Sequence, residues 1–160
     1  MNPQPAGAPI PYIRRGRFEE YAWFRDRNNR PCQQPPWGTL IAVDLNKGKI
    51  VWRVPLGVVD ELEAKGVHNT GTQNLGGSIV TAGGLVFIAG TTDHRFRAFD
   101  ARTGKQLWEA QLEANGHATP MTYRGKKSGK QFIVIASGGG GFLRSLSSVL
   151  SDTMVAYSLP

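Results

Sequence analysis

Ala42-Val43-Asp44-Leu45-Asn46-Lys47-Gly48-Lys49-Ile50-Val51-Trp52 is answered by Ala98-Phe99-Asp100-Ala101-Arg102-Thr103-Gly104-Lys105-Gln106-Leu107-Trp108, 56 positions later. Six residues recur in register, because Ala42, Asp44, Gly48, Lys49, Trp52 and Leu56 return as Ala98, Asp100, Gly104, Lys105, Trp108 and Leu112. A duplicated turn with a duplicated tryptophan marks a repeat architecture, and its period is too long for most helical solenoids. Each copy also lies among β-forming residues. In each, the aspartate accepts hydrogen bonds from turn amides and the glycine takes positive φ without a Cβ clash. The stretch therefore reads as a hairpin: a strand over 39–43, a turn over 44–48 and a strand over 49–56. A Trp at a fixed place in each unit buries about 150–250 Å² between neighbouring sheets and leaves its indole N–H for a backbone carbonyl. The pattern predicts an all-β chain forming part of a β-propeller.

Outward from the first hairpin the same grammar continues. Residues 78–81 and 85–90 flank the turn Ala82-Gly83-Gly84, and with 95–99 and 106–112 they predict four consecutive antiparallel strands, one complete blade. The run Leu85 to Ala89 is apolar at every position, as in a strand covered on both faces. A third blade is predicted from 118–123, 131–136 and 153–159, where Val155-Ala156-Tyr157 aligns with Leu40 to Val43 and Phe96 to Phe99. The total is about two and a half four-stranded blades, and the fourth strand of the last is expected from elsewhere in the protein. Residues 58–77 read as a connecting loop in which Asp60 to Lys65 forms one or two helical turns. Residues 1–37 hold seven of the ten prolines and read as an extended, loop-rich arm with a short helix near Phe18 to Phe24. The division is thus an arm over 1–37 and propeller blades over 38–160.

Composition narrows the function. The chain has 160 residues, fewer than a closed propeller of such units requires, and it opens on a Pro-rich, Arg-rich stretch with no apolar signal region. It is therefore expected to be the carboxy-terminal portion of a longer protein. The net charge of +7 is spread over solvated loops, and no nucleic-acid motif accompanies it, so no nucleic-acid partner is expected. Cys32 is the single cysteine, and no Cys/His cluster offers metal-ligand spacing. His68, His94 and His117 are isolated and read as solvated or hydrogen-bonded. No nucleophile elbow, phosphate loop or dinucleotide fingerprint is present. Asp44 and Asp100 read as turn residues, not as catalytic carboxylates. Uncovered blade faces and sheet edges predict self-association of the isolated chain.

The motif Ala-x-Asp-x-x-x-Gly-Lys-x-x-Trp, carried by Ala42, Asp44, Gly48, Lys49 and Trp52 and again by Ala98, Asp100, Gly104, Lys105 and Trp108, resembles the tryptophan-docking motif of the pyrroloquinoline quinone (PQQ)-dependent dehydrogenases. The resemblance extends to Cys32 to Thr39, Asn74 to Gly77, Thr81 to Ile88, Arg97 to Asp100, Ala118 to Tyr123 and Val155 to Pro160, and is strongest to the membrane-associated glucose dehydrogenase branch. It covers roughly residues 31–160 and implies an eight-bladed propeller holding PQQ and calcium near its axis. The family oxidises sugars or alcohols in the periplasm and passes electrons to a quinone or a cytochrome. The resemblance also implies membrane association through upstream segments.

Because the family's catalytic aspartate and calcium ligands lie upstream of the matching region, no catalytic or metal-binding residue is assigned here. The isolated chain is expected to be inactive. The resemblance points to two cofactor-facing loops, one with Asn74, Leu75, Gly76 and Gly77, the other with Gly139, Gly140, Gly141 and Phe142. Some relatives carry histidine or tryptophan within or just after the second glycine run, where this chain has Gly140, Gly141 and then Phe142. The competing reading is a noncatalytic propeller, a scaffold or sensor that binds proteins in the cell envelope, since fold alone does not separate the two.

Overall fold

The computed structural model describes residues 24–140 and 149–158. Gly141 and Phe142 lie outside these residues, as does all but the last position of the helix expected near Phe18 to Phe24; Phe24 itself is not helical. The chain divides into two compact units, 1–33 and 34–160. In the first, the Asp26 Oδ1 atom accepts the Asn28 and Arg30 amides, both at 2.9 Å, closing a turn whose flanks, Arg25 and Pro31, form an isolated bridge. The division falls four residues before the expected one. Trp37 N–H donates to the Thr70 carbonyl at 2.7 Å, which ties the segment before Gly38 to the sheets.

The second unit holds three antiparallel sheets in chain order. The first pairs β1 (Thr39–Asp44) with β2 (Lys49–Pro55). The single turn α1 (Asp60–Glu63) follows. The second sheet runs β3 (Ser78–Val80), β4 (Leu85–Ile88), β5 (Arg95–Asp100) and β6 (Gln106–Gln111), each beside the next. The third is β7 (Met121–Arg124), β8 (Gln131–Ser137) and β9 (Thr153–Ser158). Nearly all-strand architecture with neighbouring antiparallel sheets agrees with the propeller reading. Two strand boundaries move by more than one residue: β4 ends at Ile88, not Gly90, and β7 begins at Met121, not Ala118, after Pro120, which has no N–H to give a ladder.

The repeat is geometric as well as sequential. Both hairpins shift register at the same place, between Ala42 and Val43 and between Ala98 and Phe99, so each alanine faces its tryptophan across the pair. Asp44 Oδ1 accepts the Asn46 and Lys47 amides at 3.0 and 3.2 Å, and Asp100 Oδ1 accepts those of Arg102 and Thr103, both at 2.9 Å. Gly48 and Gly104 take φ of +60° and +72°, the region where a side chain is strained. The bond from Leu56 N–H to the Gly38 carbonyl, 2.9 Å, returns 56 residues on as Leu112 N–H to the His94 carbonyl, 2.7 Å.

The second sheet is buried on both faces. Toward the first it presents Val86, Ile88 and Phe99, which pack with Leu56, Leu40 and Val54. Toward the third it presents Phe87, Phe96 and Trp108, which pack with Ile133, Ile135, Val155 and Tyr157. Trp52 crosses from the first sheet to the second: its Nε1–H donates to the Ala101 carbonyl at 3.0 Å, and its ring lies on Gly104, where a Cβ would stand 2.7 Å from Cε3. Trp108, at the same register position in its own hairpin, faces the third sheet, its ring meeting Tyr157 edge-on at 4.9 Å and Phe96 of its own sheet at 5.8 Å.

A buried ionic network braces the loop after β2. Arg97, only 1% exposed, pairs with Asp93 and, through Nε, with Glu109 Oε2 at 3.0 Å. Asp93 also accepts the Val58 amide at 2.8 Å and the Thr91 hydroxyl at 2.6 Å. Arg95 links Glu109, at 3.0 Å, to Asp60 on α1, at 2.8 Å. Burial opposes ionisation of Asp93, but the hydrogen bonds and charge of Arg97, with Thr91 and the Val58 amide, outweigh it and hold the carboxyl below its usual range.

Two predictions follow from these contacts. Gly104→Ala should destabilise the chain by about 2–4 kcal/mol, combining positive-φ strain with overpacking against the indole. Gly48→Ala, whose Cβ meets nothing within 4 Å, should cost only the strain, about 1–2 kcal/mol. Thermal unfolding of both variants checks this, and equal losses would remove the ring contact from the account. For Asp93, a folded-state pKa below the unfolded one gives stability that is present above the unfolded value and lost as pH falls through the folded value. Urea midpoints measured from pH 6 downward should therefore fall in acid for the wild type and fall less steeply for Asp93→Asn, from a lower starting stability.

Candidate functional site

The two predicted loops lie at one end of adjacent sheets, linked by main-chain hydrogen bonds through Gly90 and residues 115–116. The segment 74–77 leads into β3, Gly90 follows β4, 114–117 leads toward β7, and 138–140 follows β8. Leu75 N–H donates to the Gly90 carbonyl at 2.7 Å, Gly90 N–H to the Gly116 carbonyl at 2.7 Å, and Gly139 N–H to the Asn115 carbonyl at 2.9 Å. Asn74 also bridges Thr91. A line of backbone contacts therefore carries the 74–77 loop of the second sheet to the 138–140 loop of the third.

The glycines in these loops do a different job from the one their sequence suggests. A Cβ on Gly76 would lie 3.0 Å from Gly90 Cα and 3.1 Å from the His117 carbonyl; on Gly77, 2.1 Å from Thr119 Oγ1; on Gly139, 1.9 Å from the Val149 carbonyl. All three absent side chains make room for neighbouring protein. Gly140 differs, with no atom within 4 Å of the place its Cβ would take. What the end of the sheets exposes is Asn74, Leu75, Gly76 and Gly138, with Gly140 half-buried beside them. Both main-chain polar groups of Leu75 are taken within the chain, so what these loops could offer a planar, anionic, carbonyl-rich group such as PQQ is the Asn74 side-chain amide and the exposed main chain of Gly76 and Gly138.

The histidines divide three ways. His68 pairs with Glu63 on α1, His94 sits at φ +56° with its carbonyl on Leu112, and His117 Nδ1 lies 3.0 Å from the Leu75 carbonyl. Among the described residues no group of His, Cys, Asp and Glu is placed to hold a metal, and no helix is long and apolar enough to cross a membrane. Cys32 is an exposed free thiol. Away from the loops, a cleft of about 250 Å³ opens between the second and third sheets, lined by Trp108, Tyr157, Phe87, Ala98, Thr122 and Phe132. Its apolar walls suit sheet packing more than polar chemistry.

Sequence reasoning missed the loop 115–117, which bonds to both candidate loops, and the Asp93–Arg97–Glu109 network. The signal for the network was present, because Arg95 and Arg97 share one face of β5 and Arg97 stands opposite Glu109. No repetition drew attention to it: the positions equivalent to Arg97 and Glu109 are Ile41 and Arg53.

Comparison with known proteins agrees with this architecture. The family model for the β-propeller domain of glucose, ethanol and alcohol dehydrogenases of the PQQ group matches residues 12–133. A probable quinate dehydrogenase (quinone) of Xanthomonas campestris pv. juglandis is 45% identical over 81% of this chain and 17% of its own length. The quinoprotein glucose dehydrogenase of Escherichia coli K12 is 41% identical over 81% of this chain and 16% of its own. Among solved structures, quinohemoprotein alcohol dehydrogenase ADHIIG of Pseudomonas putida HK5 superposes with a TM-score of 0.54 and 31% identity, over 74% of this chain and 16% of that one. The corresponding enzyme of Comamonas testosteroni gives 0.59 and 27%, over 82% and 17%. The chain thus spans about a sixth of these relatives. Its repeat, its sheets and these likenesses agree, and the chain belongs to the PQQ-dependent dehydrogenase family, whose members include glucose dehydrogenases.

Proposed function

We propose that this chain is the carboxy-terminal portion of a longer PQQ-dependent dehydrogenase that oxidises a sugar or another alcohol, and that it supplies the last propeller blades and part of the cofactor wall. The observation that carries the reading is the line of main-chain bonds bringing the 74–77 and 138–140 loops, both dehydrogenase-like in sequence, to one end of adjacent sheets. Asn74, Leu75, Gly76 and Gly140 would border the cofactor. When bound, PQQ supplies the two-electron acceptor for alcohol oxidation. This chain's own part is to present a fixed edge, with Gly90, Gly116 and Gly139 holding the loops by backbone bonds and leaving little to order on binding.

Docking by Trp52 and Trp108 holds successive blades in this reading. The outer face of the first sheet supports a missing neighbour: Val43 is 50% exposed, whereas Phe99, one repeat later, is 2% exposed against the first sheet. The remaining blades of the parent would cover Val43 and Ile41, whose counterparts Phe99 and Arg97 are buried. The catalytic base and calcium ligands belong to those blades, a quinone or cytochrome takes the electrons, and the protein faces the periplasm.

Two measurements test the proposal. The 160-residue chain mixed with PQQ, calcium, glucose and a dye acceptor should show no turnover. The full-length parent should bind PQQ saturably by absorbance titration. Turnover by the chain alone would overturn its role as a part, and absence of saturable binding by the parent would favour a noncatalytic scaffold.

A further inference from the structure

His117 lies in the segment that bonds to both loops, and its side chain meets the first of them. Its Nδ1 atom lies 3.0 Å from the Leu75 carbonyl, while Leu75 N–H is held by Gly90. The two main-chain polar groups of Leu75 are therefore tied to two different segments. The His117 carbonyl also lies beneath Gly76, and the preceding Gly116 carbonyl holds the Gly90 amide, so residues 116–117 contact the 74–77 loop and its anchor together. Asn115, fully buried, continues the line by accepting Gly139 N–H.

The tautomer follows from the partner. A carbonyl oxygen only accepts, so Nδ1 carries the proton and a neutral ring leaves Nε2 with a bare lone pair. That Nε2 is buried and has no hydrogen-bond partner among the described residues. Leaving a buried polar atom unsatisfied costs stability, so the ring is held in place by its other nitrogen at the expense of this one. A purely packing side chain at 117 would need neither atom.

We propose that His117 is a positioning residue, whose Nδ1–H fixes the Leu75 carbonyl and so sets the 74–77 loop as one edge of the cofactor wall. The inference rests on the cofactor reading above for its consequence, but the loop fixation stands on the contacts themselves. Asparagine can place an N–H donor where Nδ1 lies and has no atom at Nε2, so His117→Asn keeps the function and discards the unsatisfied nitrogen. His117→Ala removes both.

The test uses the full-length parent with amide exchange and PQQ titration side by side. His117→Ala should speed exchange of the Leu75 amide about 3- to 10-fold and weaken PQQ binding by a similar factor, the worth of one neutral hydrogen bond. The Leu112 amide, bonded to the His94 carbonyl, should keep its wild-type rate. His117→Asn should restore both the Leu75 rate and the PQQ affinity. An unchanged Leu75 rate in the alanine variant, or an asparagine variant as impaired as alanine, overturns the assignment. Faster exchange with unaltered PQQ affinity overturns its place in the cofactor wall. If the wild-type parent binds no PQQ, the function proposed above fails, and the exchange rates still decide whether His117 fixes the loop.

Discussion

An indole ring lying on a glycine joins the first two sheets. Trp52 can reach the second sheet's turn because Gly104 has no Cβ and can take φ +72°, and the same turn leaves the Ala101 carbonyl free to accept the indole N–H. Asp100 makes that turn tight by gathering two amides, so the aspartate, glycine and tryptophan act together although they belong to different sheets. This explains the repeat. Both glycines are held by positive φ, and Gly104 is held a second time by the ring that lies on it.

With the sheets fixed face to face, the positions of the loops at their ends follow. Antiparallel pairing brings the starts of β3 and β7 and the ends of β4 and β8 to one side, where main-chain amides and carbonyls of adjacent sheets bond directly. Buried backbone groups need partners, and here each loop finds them in the next. The glycines at 76, 77 and 139 are consequences of this crowding, since a side chain at any of them would collide with backbone or with Thr119.

This division explains what was legible in the sequence. The hairpins, the complete four-stranded blade and the places of Trp52 and Trp108 follow from local turn chemistry and strand periodicity, which are readable one segment at a time. The glycines of the candidate loops were visible, but whether each yields to a ligand or to protein depends on segments well removed in sequence, such as Gly90 and His117 for Gly76. Histidine 117 looked isolated for the same reason: its partner, Leu75, is 42 residues distant and offers only a carbonyl, which every residue has. Arg97 looked like a strand residue because its neutralising partners arrive from a loop and from the facing strand.

The same long-range contacts bear on the proposed place of these loops in a cofactor wall. If the loops depended on the ligand for their shape, binding would have to order them and would lose affinity by that amount. Here Leu75, Gly90, Gly116, Asn115 and Gly139 are joined within this chain by backbone bonds of 2.7–2.9 Å, and the braces behind them, from the Asp93–Arg97 pair to the Trp52 contact, also lie within it. The edge is thus set by these blades before anything meets it. In the parent proposed above, other blades would close the face bearing Val43 and supply the opposite wall, while this edge keeps its own bonds.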